Sequence, residues 1–338
     1  VVIGKDGKAT ATVKFVARLG NQADAVELAV PVLNPGSRRR LIERAQISGQ
    51  GQVAIQLPEG RLPGSTMLEV MVSTTSLSEL KGAVDRLMDY PNGCLEQTTS
   101  TAYPLVVLSE LLPEMGVTVD EAALKKFSTA GVARILSFQT SGGGLSYWPG
   151  GSEPHAFGTA FGLTALIEAK KRGYDVPEAA LARMASFLEE SLRKGEIKEE
   201  MPHAAMADAD TRALFVMTLG RLGRPQSAYV PVLWQQRGKL TPFGLAFLAV
   251  AVAEGAGDRA LLPAILGDIR AAAKIEPEQA YYEGDRAAGW SMGSPLRTHA
   301  GALLAYALAS PPDEMRAKLL TGLIKRQQGG SWGNTQED

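Results

Sequence analysis

Cys94 and Gln97 stand three residues apart in the run Tyr90-Pro-Asn-Gly-Cys-Leu-Glu-Gln-Thr-Thr99, and Cys94 is the one cysteine of the chain. At that spacing a thiolate can attack the side-chain amide of the glutamine, expel ammonia and leave an internal thioester. Such a bond is an acyl donor stored inside the protein until a nucleophile reaches it. A lone cysteine can equally be a small buried hydrophobe, so its neighbours decide. Pro91, Asn92 and Gly93 permit the sharp bend that would bring the two side chains together. The pattern predicts a helix over 98–112, with Thr98, Thr99 and Ser100 as candidate caps. The free N–H groups of a helix start favour the negative charge that develops on an attacked carbonyl. Water must also be kept out, and Tyr90, four residues before Cys94, is the nearest aromatic cover. Glu96 is a candidate acid or base for bond formation, or else a solvated carboxylate in a first helical turn.

The elements that would position these residues fall into two regions. Residues 1–75 read as β: Lys8 to Ala17 alternates apolar and polar residues, and Ala25 to Leu33, Gln52 to Leu57 and Thr66 to Ser73 are further short strands separated by Pro and Gly turns. Over 76–338 the period changes. Ser76-Leu-Ser-Glu79 is a capping-box pattern that opens a helix running to about Met88. Helices rich in small residues follow, among them Phe157 to Lys171, Glu178 to Lys194, Thr211 to Leu222, Phe243 to Glu254 and His299 to Ser310. Glycine turns carrying Trp148, Trp290 and Trp332 recur before helices, as a loose repeat. Repeated units of this kind bury their apolar faces only by stacking on neighbours. The expected fold is mainly α: an α/α toroid preceded by β-sandwich segments, with the three tryptophans plugging between helix pairs.

Composition narrows the function classes. With 338 residues, 45% hydrophobic and 21% charged, the chain is long enough for two domains, and a net charge of −1 gives no footprint for nucleic acid. A single cysteine allows no internal disulfide. The longest apolar stretch, Pro242 to Ala253, is too short to span a bilayer. Neither a cofactor nor a metal site is expected, since no Cys or Asp clusters visibly with the histidines.

The motif also carries a resemblance. Gly93-Cys94-Leu95-Glu96-Gln97-Thr98 is similar to the thioester signature of the α2-macroglobulin and complement family, and Leu95, where animal members usually carry Gly, resembles the bacterial members. The turns Gly142-Gly-Gly-Leu-Ser-Tyr-Trp-Pro-Gly-Gly151 and Gly329-Gly-Ser-Trp-Gly-Asn-Thr-Gln336 look like those of the family's thioester domain, an α/α toroid. The resemblance implies that 1–75 holds the end of a macroglobulin-like domain and the first half of a split CUB-like domain. It implies a trap for proteases rather than a turnover enzyme. A protease cuts a bait region elsewhere in the full protein, and its surface amines, mainly of lysines, are acylated by the Cys94–Gln97 bond. The implied partners are target proteases and the remaining macroglobulin-like domains, and the implied location is periplasmic, with a lipoprotein anchor to the inner membrane outside this chain. Tyr90 would shield the bond. Complement-type members use a histidine roughly a hundred residues after the cysteine for acyl transfer to hydroxyls. His203 lies at about that distance, while His155 and His299 are expected to cap or pack helices.

A second class stays open: α/α toroids also serve terpene cyclases, prenyltransferases and glycosidases, and Asp208-Ala-Asp210 is the one acidic pair resembling a cyclase motif. The chain starts at Val1 and stops where the repeat would open another helix, so we expect a piece of a larger protein. In isolation it is expected to carry a free Cys94 rather than the bond.

Overall fold

The structure, a computed structural model, describes residues 2–3, 9–32, 41, 43, 49–61, 64, 66–70, 72, 84, 87–88, 93–112, 120–194, 208–284, 293–309, 313–327 and 332–333. The chain divides into two units, Val1–Val70 and Met71–Asp338.

The first unit is built on a long antiparallel hairpin. Strand β2 (Ala9–Leu19) pairs with β3 (Gln22–Val32), and the short β1 (Val2–Ile3) joins its other edge. Gly20, at φ 59, supplies the left-handed turn residue. The register aligns Val13 with Leu28 and Phe15 with Val26 on one face, and Lys14 with Glu27 on the other. The alternation read from the sequence is therefore real, and opposite charges face each other across the polar side. Two expected strands do not form: among the described residues, neither 52–57 nor 66–70 is paired in a ladder. Val53, Ile55, Leu57, Met67, Leu68 and Val70 are exposed. Strand-like composition alone does not make a strand, because a strand also needs a partner edge to pair with.

The second unit is helical, as the 3.6-residue period requires. Its described helices are α1 (Leu95–Leu108), α2 (Glu121–Ser137), α3 (Ala156–Lys171), α4 (Glu178–Arg193), α5 (Ala209–Arg221), α6 (Tyr229–Gln235), α7 (Pro242–Ala253), α8 (Leu262–Ala271), α9 (Pro295–Leu308) and α10 (Glu314–Lys325). Of the helix expected from Ser76, Val84, Leu87 and Met88 are helical, with Val84 and Leu87 buried, and the rest lies outside the described residues. A small ladder, β4 (Lys274–Ile275) with β5 (Ala280–Tyr281), packs on α10. Odd-numbered helices form the inner series: α1 packs on α3, α3 on α5, α5 on α7 and α7 on α9, while α2, α4, α8 and α10 lie outside them. This is the pairing order of an α/α toroid.

Sequence explains which helix lies where. On α4 the buried residues Ala180, Leu181, Met184, Ala185, Leu188 and Leu192 recur at three and four, giving one apolar stripe. On α3 and α7 buried residues occupy nearly every position, so these helices have no polar face to turn outward. Small residues let the inner helices approach: a Cβ on Gly158 would sit 2.6 Å from Leu95 Cδ2, and one on Gly162 2.6 Å from Leu145 Cδ1. Buried hydroxyls pair on the other side of α3, where it meets α5, Thr164 with Thr218 at 2.9 Å.

Among the described residues, the five inner helices start at one rim. Leu95 of α1 packs beside Gly158 near the start of α3. Asp210 in the first turn of α5 accepts hydrogen bonds from Thr241 N (2.9 Å) and Thr241 Oγ1 (2.5 Å) at the start of α7. Arg297 in the first turn of α9 lies over the rings of Phe157, Phe161 and Phe243, 5.2–5.4 Å from their centroids. At the opposite rim, Arg221 forks onto Glu254 at 2.8 Å, placing a cation where α5 ends. Among the described residues no helix is long and apolar enough to cross a membrane.

Two histidines sit inside this fold. His155 caps α3, its Nδ1 accepting from Gly158 N at 2.9 Å. His299 caps nothing, because α9 begins earlier, at Pro295 behind the Ser294 cap. It lies within the helix, fully buried, with Nε2 2.7 Å from Leu319 O and Nδ1 unpartnered. Burial pushes both imidazoles down to about 4. Burial also raises the Asp210 carboxyl to about 6, against the lowering effect of its Thr241 hydrogen bonds. The unfolded chain binds more protons at each histidine between pH 6.5 and 4, so their contribution to stability falls as pH is lowered through that window. Asp210 acts with the opposite sign, its contribution being lost as pH rises through 6. Two histidines outweigh one aspartate. Urea titrations at pH 6.5 and pH 4.5 should show that the wild-type chain loses about 2 kcal/mol more than His299→Gln over this interval. Equal losses would show that His299 is not held neutral.

Candidate functional site

Helix α1 starts at Leu95, earlier than the expected Thr98, because Cys94 itself is the cap. Its backbone is extended (φ −68, ψ 174), and Gln97 occupies the third helical position. The two residues form a capping box with sulfur in place of a hydroxyl: the Cys94 side chain faces the Gln97 backbone N–H, and the Cys94 N–H donates to Gln97 Oε1 at 3.3 Å. Thr98, Thr99 and Ser100 are not caps. They lie inside the helix, and Thr99 Oγ1 donates to Leu95 O at 2.8 Å. The nucleophile and the amide it would attack thus share one turn, and a backbone donor already points at the carbonyl oxygen.

Gly93 is required by space. A Cβ there would sit 2.3 Å from Gln97 Oε1 and 2.8 Å from Gln97 Cβ. Any side chain at 93 therefore pushes the glutamine carbonyl out of its place.

The turn expected to carry a plugging tryptophan supplies the cover instead. Gly143, at φ 91, and the bridges Gln139–Leu145 and Ser146–Pro154 fold residues 139–154 back over the start of α1. Leu95 N, one of the free donors of the helix start, donates to Tyr147 O at 2.9 Å. The Tyr147 side chain lies near Cys94, and its ionisation is pushed well above the usual tyrosine value by burial first, then by Cys94 and the nearby Glu96. Its ring packs against His155, centroids 5.2 Å apart. Trp148 does not plug between helices: it is 60% exposed and stands edge-on to Tyr147 at 5.7 Å. Trp332, by contrast, is tied to α10 by its Nε1–H, which donates to Leu323 O at 2.8 Å.

Glu96 is not a solvated carboxylate. It is buried beneath the turn and accepts from Ser100 Oγ at 2.6 Å. Arg134, in the last turn of α2, donates from Nη2 to Gly93 O at 3.0 Å and from Nε to Thr98 Oγ1 at 3.3 Å. The fold therefore brings together Cys94, Glu96 and Gln97 and adds Tyr147 and Arg134, which the sequence reading did not single out. Tyr147 could have been suspected from its place in the glycine turn beside Trp148. Arg134 carries no such signal, since a basic residue closing a helix is ordinary. Tyr90, His203 and Trp290 lie outside the described residues.

The cyclase-like pair is spent on helix caps. Asp208 accepts from Thr211 N at 2.7 Å, and Asp210 holds Thr241. Among the described residues no group of three or more His, Cys, Asp or Glu could hold a metal ion.

Comparison with known proteins finds relatives of the helical unit and of the fold. Residues 64–215 match the family described as the A-macroglobulin TED domain. The chain is 29% identical over 300 residues to an alpha-2-macroglobulin of Xylella fastidiosa, covering 83% of this chain and 17% of that relative's length. The fold superposes with a TM-score of 0.64 on Salmonella alpha-2-macroglobulin reacted with methylamine, at 20% identity, covering 98% of this chain and 24% of that one. It also superposes, with a TM-score of 0.60 at 24% identity, on Escherichia coli alpha-2-macroglobulin activated by porcine elastase, covering 73% of this chain and 22% of that one.

Gly93 gives the test of the capping geometry. Gly93→Ala should lower unfolding stability by about 1 kcal/mol through loss of the reciprocal cap, read from urea denaturation, with helical circular dichroism unchanged. A variant as stable as wild type would mean that Gln97 Oε1 does not occupy this place.

Proposed function

Because the chain belongs to the alpha-2-macroglobulin family and carries its TED domain, we propose that Cys94 and Gln97 form an internal thioester that acylates nucleophiles of attacking proteases. One observation carries this reading: sulfur and side-chain amide meet in one reciprocal helix cap, next to a glycine that leaves no room for a Cβ. In thioester formation Sγ bonds to the Gln97 carbonyl carbon, the carbon–nitrogen bond breaks, and ammonia leaves with the thiol proton. In capture, an amine attacks the same carbon, the carbon–sulfur bond breaks, and the displaced sulfur ends as a thiol. The bond is consumed, so each molecule acts once.

Two related proteins support this reading. A relative was reacted with methylamine, a small amine nucleophile, and another was activated by a protease. Lysine amines of a protease are the natural counterpart, reached after cleavage of a bait segment elsewhere in the full protein. The β unit would then be the end of a macroglobulin-like domain and the opening half of a split CUB-like domain. We place the full protein in the periplasm, held by an anchor outside this chain.

Within the site, Tyr147 excludes water from the sulfur side, alongside the Tyr90 guard. Glu96, buried beside the phenol, is the group able to accept the thiol proton during formation. Reaction at hydroxyls through His203 remains part of the proposal.

Mass measurement on the full-length protein tests the reading. The intact protein should be lighter than its sequence by one ammonia. Methylamine should add at Gln97 and release one titratable thiol, and Cys94→Ala should show neither change. A full-mass protein whose thiol titrates from the start, with no methylamine added, overturns the thioester. Tyr147→Ala should form the bond and lose it to water roughly tenfold faster or more, as expected when a water-excluding group is removed. Thiol appearance over time without added amine reads this, and an unchanged half-life removes Tyr147 from the guarding role.

A further inference from the structure

The peptide group joining Gly93 to Cys94 is held at both ends. Its N–H donates to Gln97 Oε1 at 3.3 Å, and its C=O accepts from Arg134 Nη2 at 3.0 Å. Arg134 is fixed by two further contacts: its Nε–H donates to Thr98 Oγ1 at 3.3 Å, and its guanidinium lies over the Phe138 ring, 5.6 Å from the centroid. Among the described residues no carboxylate pairs with it. A full positive charge is therefore directed at a neutral amide carbonyl. Hydrogen bonds in series polarise one another, and a charged donor strengthens the bond it makes. A carbonyl pulled toward a guanidinium leaves its own N–H more positive. That N–H is the one facing the glutamine oxygen.

We infer that Arg134 is a positioning residue for acyl chemistry at Gln97, acting through the Gly93–Cys94 peptide, which it both holds in place and polarises as an oxyanion donor. The inference rests on the thioester reading. When Sγ attacks the Gln97 carbonyl carbon, the carbonyl electron pair moves onto Oε1, the atom that faces Cys94 N–H. The intermediate collapses as the carbon–nitrogen bond breaks and ammonia carries off the thiol proton. When an amine later attacks the thioester, charge develops on the same oxygen before the carbon–sulfur bond breaks and the proton passes to sulfur. Arg134 therefore bears on both steps while touching neither reacting atom.

Arg134→Lys, Arg134→Gln and Arg134→Met in the full-length protein test this. Three readouts are needed: the fraction of molecules lighter by one ammonia, the second-order rate of thiol release by methylamine on that fraction, and the thermal midpoint. Lys keeps the charge and should react within about threefold of wild type. Gln and Met should react roughly tenfold more slowly or worse, a partial loss of one oxyanion donor, with thermal midpoints close to wild type. A purely structural arginine would move the midpoint and leave the rate on intact bonds unchanged. Should Met fail to fold, the comparison of Lys with Gln decides, because these differ chiefly in charge. Equal methylamine rates in wild type, Lys and Gln overturn the inference, and so does an equal slowing of Lys and Gln. A wild-type protein that carries no thioester overturns the reading beneath it as well, and so separates the two failures.

Discussion

The absence of a Cβ at position 93 is the constraint on which the site depends. With any larger residue there, the Gln97 carbonyl could not lie against the Cys94 N–H, and the cysteine could not cap its own helix with its partner at the third position. Capping residues ordinarily satisfy the orphan donors of a helix start. Here the same two residues do that and also place a sulfur beside an amide. Structural economy and chemical poise come from one turn.

Everything around that turn keeps it in one conformation. The toroid supplies a rim at which five helices begin, so α1 starts beside α3 and under the 139–154 turn rather than in open solvent. Gly158 and Gly162 let Leu95 wedge into α3, which fixes the residue directly after the cysteine. Below it, inner helices without a polar face must stay enclosed by amphipathic outer ones. A core packed this way has low compressibility. The site is thus rigid because of residues that never touch the reacting atoms.

The fold was largely legible because its signals are periodic. Apolar spacing separates the inner helices from α4, and glycine turns mark the repeat. Cys94 and Gln97 were legible for a related reason: the cap and third position of a helix are three residues apart in sequence, so their meeting needs no tertiary information. What the sequence did not disclose depends on packing between distant segments. Arg134 meets Gly93 only because α2 returns along α1, and Tyr147 meets Cys94 only because a glycine turn folds back. The helix start was misjudged at Thr98 because hydroxyl residues are common caps, whereas here a thiol takes that place. Residues 52–57 and 66–70 have the composition of strands, but pairing is a property of two segments and cannot be read from one.

Trp148 has one more consequence. Its indole is mostly in water, yet it stands edge-on to Tyr147, whose backbone carbonyl holds the first N–H of α1. Tryptophan emission responds to the polarity and ring contacts of its immediate surroundings. A displacement of Tyr147 from Cys94 would change those surroundings within one residue of the peptide that carries both rings. Trp148, one of four tryptophans in the chain, thus places an intrinsic fluorophore against Tyr147, and no attached label is needed to follow that contact once the other three indoles are replaced.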